Sequence, residues 1–212
     1  MKSFIIGDVH GCFAELEQLL EKLPKSNEDK LYFVGDLIDK GPDSVKVLKL
    51  VGNLKAKVVK GNHEVEFLDY VEFEERGHAC FEQIKRDLGD DLQDYLDWME
   101  SWPYFYEEKD FIVVHAGLNP NKSPAKTDPE ILMNIRTWNG NLDDIEDLNN
   151  PPWYKSYFGK KLVIFGHWSD QGLVQTANAI GIDTGCVKGR KLTAVELPSR
   201  KIYQVDASKN YV

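Results

Sequence analysis

Apolar residues come in short runs that end at glycine, aspartate or asparagine, and between the runs the period changes from strand-like to helical. Phe4 to Asp8 reads as a strand, after which Phe13, Leu16, Leu19, Leu20 and Leu23 recur at helical spacing before Pro24. The pattern repeats: "KLYFVGD" is a strand ending at Asp36, Val45, Leu48 and Val51 fit a helix, and "AKVVKGN" is a strand ending at Asn62. Strand, helix and strand in alternation predict βαβ units of a largely parallel sheet. From His63 to Trp102 the apolar positions, including Phe67, Val71, Ile84, Leu88, Leu92, Leu96 and Met99, keep helical intervals, which predicts a helical insertion over about 64–102. Strand patterns return in "FIVVHAG", "LVIFGH", "AIGID", "KLTAVELP" and "KIYQVDA", the last two joined through Ser199 and Arg200 as a tight hairpin. "NLDDIEDLNNPPWYKSYFG", rich in Asn, Asp and Pro, reads as a long surface loop.

The length of 212 residues suits one compact domain over 1–212, and 42% hydrophobic with 29% charged residues is ordinary for a folded chain. Acidic residues outnumber basic ones, 35 to 26, with no dense basic stripe, so long nucleic acid is a poor partner. Much of the acidic excess lies between Glu64 and Asp110 and reads as the solvated face of helices, without functional weight. Cys12, Cys80 and Cys186 are scattered and show no CxxC pairing, so neither a disulfide framework nor a zinc ribbon is expected. A reducing cytoplasm is the natural inference. Cys12 and Cys186 are read as small buried hydrophobes. No basic and apolar signal segment precedes the first strand and no apolar run approaches ~18 residues, so neither export nor a membrane span is expected.

Five of the apolar runs end alike, at a Gly or Asn beside a metal-competent side chain: Asp8 with His10, Asp36, Asn62 with His63, His115, and His167. Segments remote in sequence converge at the carboxyl ends of parallel strands. A single Gly-Asp of this kind is more often a turn or a helix cap than a ligand. The weight lies in the set, since four of the five histidines sit at such stops; His78, in an acidic helical stretch, is assigned to the surface. Asp, Asn and imidazole without thiolate form a hard to borderline donor set, suited to manganese, iron, zinc or cobalt. A carboxylate shared by two cations ~4 Å apart could bind a phosphoryl group and lower the pKa of a bridging water, chemistry that favours phosphoester hydrolysis.

The ordered motifs "GDVHG", "GDLIDKGP", "GNHE", "VHAG" and "FGH" resemble the phosphoprotein phosphatase superfamily of dinuclear metallophosphoesterases, over nearly the whole chain. More narrowly, "GDLIDKGPDSVKVL", "VHAGLNP", "FGHW" and "IDTGC" with "LTAVELP" are similar to the branch of symmetrical diadenosine tetraphosphatases. The resemblance implies an α/β fold, a calcineurin-like sandwich of two mixed β-sheets flanked by helices. It implies two divalent metal ions, Mn2+ foremost with Fe, Zn or Co open. Asp8 and His10 are then ligands of the first metal, Asp36 the bridge, and Asn62, His115 and His167 ligands of the second. His63 matches the general acid and Asp39 the acidic partner that orients it. Lys40 stands where the protein phosphatases usually carry Arg, offering a point charge instead of a fork, and Arg136 matches a second phosphate-binding residue.

The expected activity is hydrolysis by metal-activated water of a small nucleotide substrate, diadenosine tetraphosphate giving two ADP. A serine/threonine protein phosphatase acting on a phosphoprotein is the first alternative, and a catalytically silent binding module the second. Asp183 in "DTGC" is expected beside the metal centre, with a turn closed by its side chain as an equal alternative. "WPYFY", Trp102 to Tyr106, is read as packing, with base stacking as the weaker reading.

Overall fold

The computed structural model describes residues 1–212. Two five-stranded sheets carry the fold. In the first, β1 (Ser3–Ile6), β2 (Lys30–Phe33) and β3 (Lys57–Val58) run parallel, and β9 (Lys191–Leu197) and β10 (Lys201–Asp206) extend it antiparallel beyond β1. In the second, β5 (Phe111–Val114), β6 (Leu162–Phe165) and β8 (Ala179–Gly181) are parallel, with β4 (Phe105–Glu107) and β7 (Val174–Gln175) antiparallel at its two edges. The expected sandwich of two mixed sheets is what forms.

The alternation of side chains explains why these strands are apolar throughout. Ile5 and Tyr32 of the first sheet meet Val113, Ile164 and Ile180 of the second in the core between the sheets. Their neighbours Phe4, Ile6 and Phe33 point the other way, into a larger core under the helices. That core is covered by α1 (Phe13–Lys22), α2 (Ser44–Asn53), α3 (Asn62–Glu72), α4 (Ala79–Leu88) and α5 (Leu92–Glu100), the last three lying along the stretch of helical spacing that follows β3. Trp102 packs there edge-on to Trp98, and Tyr106 packs against Tyr32, so "WPYFY" is packing, as read.

Two segments differ from the sequence reading. The strand expected to end at Asn62 is only two residues long, because Lys60 N–H bonds to Pro103 O at 2.9 Å and the chain leaves the sheet. Asn62 therefore opens α3 instead of ending a strand. The loop over 141–159 is not wholly on the surface either. Trp153 is 1% exposed, donates its indole N–H to Ala116 O at 3.1 Å, and fills the outer core of the second sheet beside α6 (Pro129–Asn134).

Candidate active site

The two sheets present their parallel carboxyl ends to the same place, and the five stops meet there. Asp36 is the centre. Its Oδ2 lies 3.3 Å from His10 Nε2 and 3.9 Å from His63 Nε2, while its Oδ1 lies 3.5 Å from His115 Nε2. Asp8, Asp36 and His115 place ligand atoms within 4.8 Å of one another, and so do His10, Asp36 and His63. Asp8 also accepts the His167 amide N–H at 3.0 Å, tying the ends of β1 and β6 together.

Local hydrogen bonds aim these donors inward. His10 Nδ1 is 3.0 Å from Ile38 O and His115 Nδ1 is 2.8 Å from Val34 O, so each Nδ1 carries the proton and each Nε2 keeps its lone pair. The amide of Asn62 donates to Glu66 Oε1 at 2.9 Å, which turns its oxygen toward His115 Nε2 at 3.1 Å and His167 Nδ1 at 3.2 Å.

Backbone geometry is unusual here. Of eight non-glycine residues with positive φ, five are His10, Asp36, Asp39, Lys40 and His167, a concentration of left-handed conformations typical of functional loops. Gly61 and Gly166 meet a different need, since a Cβ at either would strike Oδ1 of Asp36 or of Asp8.

The electrostatics fit cations. Burial, then the charges of Asp183 and Asp36, raise Asp8 well above the usual carboxylate range. Burial drives His10 down to about 3 and lowers His115 and His167 as well, so these imidazoles are neutral. His167 Nε2 is buried without a partner. Crowded carboxylates and neutral imidazoles with inward lone pairs lack positive charge, which divalent ions supply.

Four further residues stand around this centre. His63 Nδ1 lies 2.9 Å from Asp39 Oδ2. Burial opposes charge on His63, but Asp36 and Asp39 outweigh it and raise its pKa. Burial likewise pushes Asp39 up, and its contacts with His63 and the Lys40 amide bring it down to about 2. Lys40 Nζ sits 2.7 Å from His63 Nε2 and 3.3 Å from His10 Nε2, and Arg136 lines the same cavity with its Nε buried and unpaired.

The sequence pattern of the calcineurin-like phosphoesterases matches residues 1–170. The chain belongs to that family. As a metallophosphoesterase it is a hydrolase of phosphoester or phosphoanhydride bonds that works with divalent metal ions. It is 29% identical to the symmetrical bis(5'-nucleosyl)-tetraphosphatase of Dechloromonas aromatica, over 98% of this chain and 97% of that one. It is 32% identical to the asymmetrical bis(5'-nucleosyl)-tetraphosphatase of Oceanobacillus iheyensis, over 100% of this chain and 95% of that one. A crystal structure provisionally described as a diadenosine tetraphosphatase superposes with a TM-score of 0.85 at 31% identity, covering 97% of this chain and 93% of the other.

One sequence reading needs correction in this phosphoesterase. Glu64 was expected in a solvated acidic face, yet it is fully buried and accepts the N–H groups of Asp36 at 2.9 Å, Leu37 at 2.8 Å and Gly61 at 3.0 Å. The available signal was its place three residues after the helix-capping Gly61, half of a capping box. His78 is exposed, as expected of a surface residue, and it also has partners. Its Nδ1 caps α4 by accepting the Phe81 N–H, its ring stacks on Phe81 at 3.8 Å, and its Nε2 lies 4.0 Å from Asp39 Oδ1. Asp183 is buried at the edge of the centre, accepting Gly185 N–H at 3.0 Å, and it also lines the cavity, so both of its expected readings apply. Trp168, Lys188 and Leu148 also line the cavity, and the sequence alone marked no role for them.

Proposed function

We propose that this phosphoesterase hydrolyses dinucleoside polyphosphates, cleaving diadenosine tetraphosphate symmetrically to two ADP with two divalent ions, manganese foremost. The observation that carries the reading is the Asp36 carboxylate, with one oxygen facing His10 and the other facing His115. That arrangement suits a bridge, with Asp8 and His10 holding one ion and Asn62, His115 and His167 the other. Likeness over nearly the whole length to a symmetrical tetraphosphatase supports the substrate. The expectation of a reducing cytoplasmic setting belongs to the same reading, and no helix is long and apolar enough to cross a membrane.

Bound there, the pair of ions would supply acidification of water and neutralisation of phosphoryl charge. The chain's own residues do the rest. Lys40 and Arg136 bind the anionic phosphate chain, whose many oxygens need point charges more than one forked clamp. When Lys40 moves to a phosphate, His63 Nε2 is free to hold a proton. Asp39 orients the ring through Nδ1 and favours its charged form. As water oxygen bonds to phosphorus and the P–O bond to the leaving group breaks, Nε2 protonates the departing oxygen.

Asymmetrical cleavage to ATP and AMP is the second reading, favoured by the 32% identity to an asymmetrical enzyme. A protein phosphatase is a weaker alternative, since Lys40 stands where a forked Arg is usual. The test compares kcat/KM for diadenosine tetraphosphate and a phosphoserine peptide in one buffer with one metal, and identifies the nucleotides formed. The proposal expects the dinucleotide preferred and ADP as sole product. ATP with AMP, or a peptide preferred by about tenfold, overturns it.

A further inference from the structure

Behind the loop that carries His10, residues remote in sequence form a second cluster outside the machinery above. We propose that Cys12, Glu15 and Cys186 form a third metal site, selective for a thiophilic divalent cation such as zinc. The two sulfurs and a Glu15 carboxylate oxygen lie within 4.8 Å of one another, and all three residues are buried, at 0%, 1% and 2% exposure for Cys12, Glu15 and Cys186.

The carboxylate supplies an independent observation. Its Oε1 is saturated by Ser208 N–H, Ser208 Oγ–H and Tyr211 O–H, each at 2.9 Å. Its Oε2 is equally buried and has no partner at all. A buried carboxylate oxygen without a donor is costly. Neither thiol relieves it, because neither reaches hydrogen-bonding geometry with that oxygen. A cation between the sulfurs and the carboxylate does.

The dimensions are compatible. Tetrahedral zinc, with ~2.3 Å bonds to sulfur and ~2.0 Å bonds to oxygen, sets ligand atoms roughly 3.5–3.8 Å apart, so closure of about 1 Å suffices. The donor set also separates this site from the active centre. Two sulfurs favour zinc or cadmium, whereas the Asp, Asn and His set accepts manganese. A bound ion would join the turn after β8 to the start of α1. The C-terminal residues close over it, held by Ala207 N–H to Arg190 O at 2.7 Å and Tyr211 N–H to Val187 O at 2.9 Å.

The test uses full-length metal-free protein titrated with Co2+, because sulfur-to-cobalt charge transfer absorbs in the near ultraviolet and oxygen or imidazole ligation does not produce it. The band should appear in the wild type and in Cys80→Ser, and vanish in Cys186→Ser. Glu15→Gln should weaken cobalt binding read at this band by about 10-fold or more. Absence of the band in the wild type, its survival in Cys186→Ser, or its loss in Cys80→Ser overturns the site. Should the variants not fold, X-ray absorption at the zinc edge of the zinc-loaded wild type decides. Sulfur neighbours at ~2.3 Å support the site, and nitrogen and oxygen neighbours alone refute it.

Discussion

Glu64, in the first turn of α3, accepts the backbone N–H of Asp36 at 2.9 Å across the carboxyl end of the first sheet. The same carboxylate accepts Leu37 N–H and Gly61 N–H, so it anchors a loop whose Asp36 has a φ of +49°. Gln can replace only part of this acceptor set, since one end of its amide is a donor. Glu64→Gln should therefore loosen the Asp36 carboxylate and weaken metal binding by about 10- to 100-fold, the scale usual for residues that orient ligands. Calorimetric titration with Mn2+ checks this, alongside a melting curve to confirm the fold. Wild-type affinity in a folded variant would show that Asp36 needs no such support.

His63→Ala should keep its metal ions yet lose roughly 10²- to 10⁴-fold in turnover, the range for general acid catalysis. The loss should shrink on aryl phosphates, because a nitrophenolate leaves without a proton while an alkoxide requires one. Turnover of paired alkyl and aryl substrates, with metal content measured on the same samples, separates acid from ligand. Equal losses on both, or depleted metal, would contradict the role of acid.

The cavity over the centre is about 190 Å³, below the roughly 300–1,000 Å³ of pockets that enclose a whole ligand. For the proposed dinucleoside polyphosphate, such a cavity would hold phosphates and leave the nucleosides outside it. Base identity should therefore matter little. The kcat/KM values for diadenosine and diguanosine tetraphosphate should agree within about tenfold, the discrimination a closed pocket obtains even from one methylene. A larger preference would require a base-binding pocket on this face.

At the opposite end of the sheets, Glu108 accepts hydrogen bonds from Tyr32 Oη at 2.5 Å, Lys57 Nζ at 2.9 Å and Lys30 Nζ at 3.2 Å, pinning the second sheet to the first. The Tyr32 bond, then those of Lys57 and Lys30, hold Glu108 at about 2 against an ordinary value of 4.5. A depressed folded-state pKa contributes stability that is full above the unfolded value and is lost as pH falls through the folded one. The melting-temperature gap between wild type and Glu108→Gln should thus be constant above about pH 5 and close between pH 4.5 and 2. A gap independent of pH would mean that the residue acts by packing alone.

Sheet order and chemistry were legible to different degrees. Gly and Asp at the ends of β1 and β2, and His after β5 and β6, were readable because a parallel sheet gathers its strand ends whatever the sequence distance. Asn62 opens a helix instead of ending a strand, and its side-chain oxygen still faces His115 and His167, since either type of element can present it there. For Glu64 the local pattern offered only half of a capping box with Gly61, while its burial depends on the Asp36 loop folding back over the start of α3, a tertiary contact. Trp153 escaped for a similar reason. Its neighbours are polar and loop-forming, while its burial is decided by a gap beside β5 and β6. His78 needed the path of the helical insertion to bring it to Asp39, and Cys12 needed the whole chain to close before it could meet Cys186.

If the Asp36 carboxylate joins two sets of ligands into one dinuclear centre, Asp36→Asn reports on it most directly. Metal content by mass spectrometry and turnover of diadenosine tetraphosphate should be measured on the same purified variant. Loss of a bridging carboxylate weakens both sites together, so both metal ions should be depleted and turnover nearly abolished. Retention of both ions with wild-type turnover, or full activity of a variant emptied of metal by a chelator, would contradict a dinuclear centre bridged by Asp36.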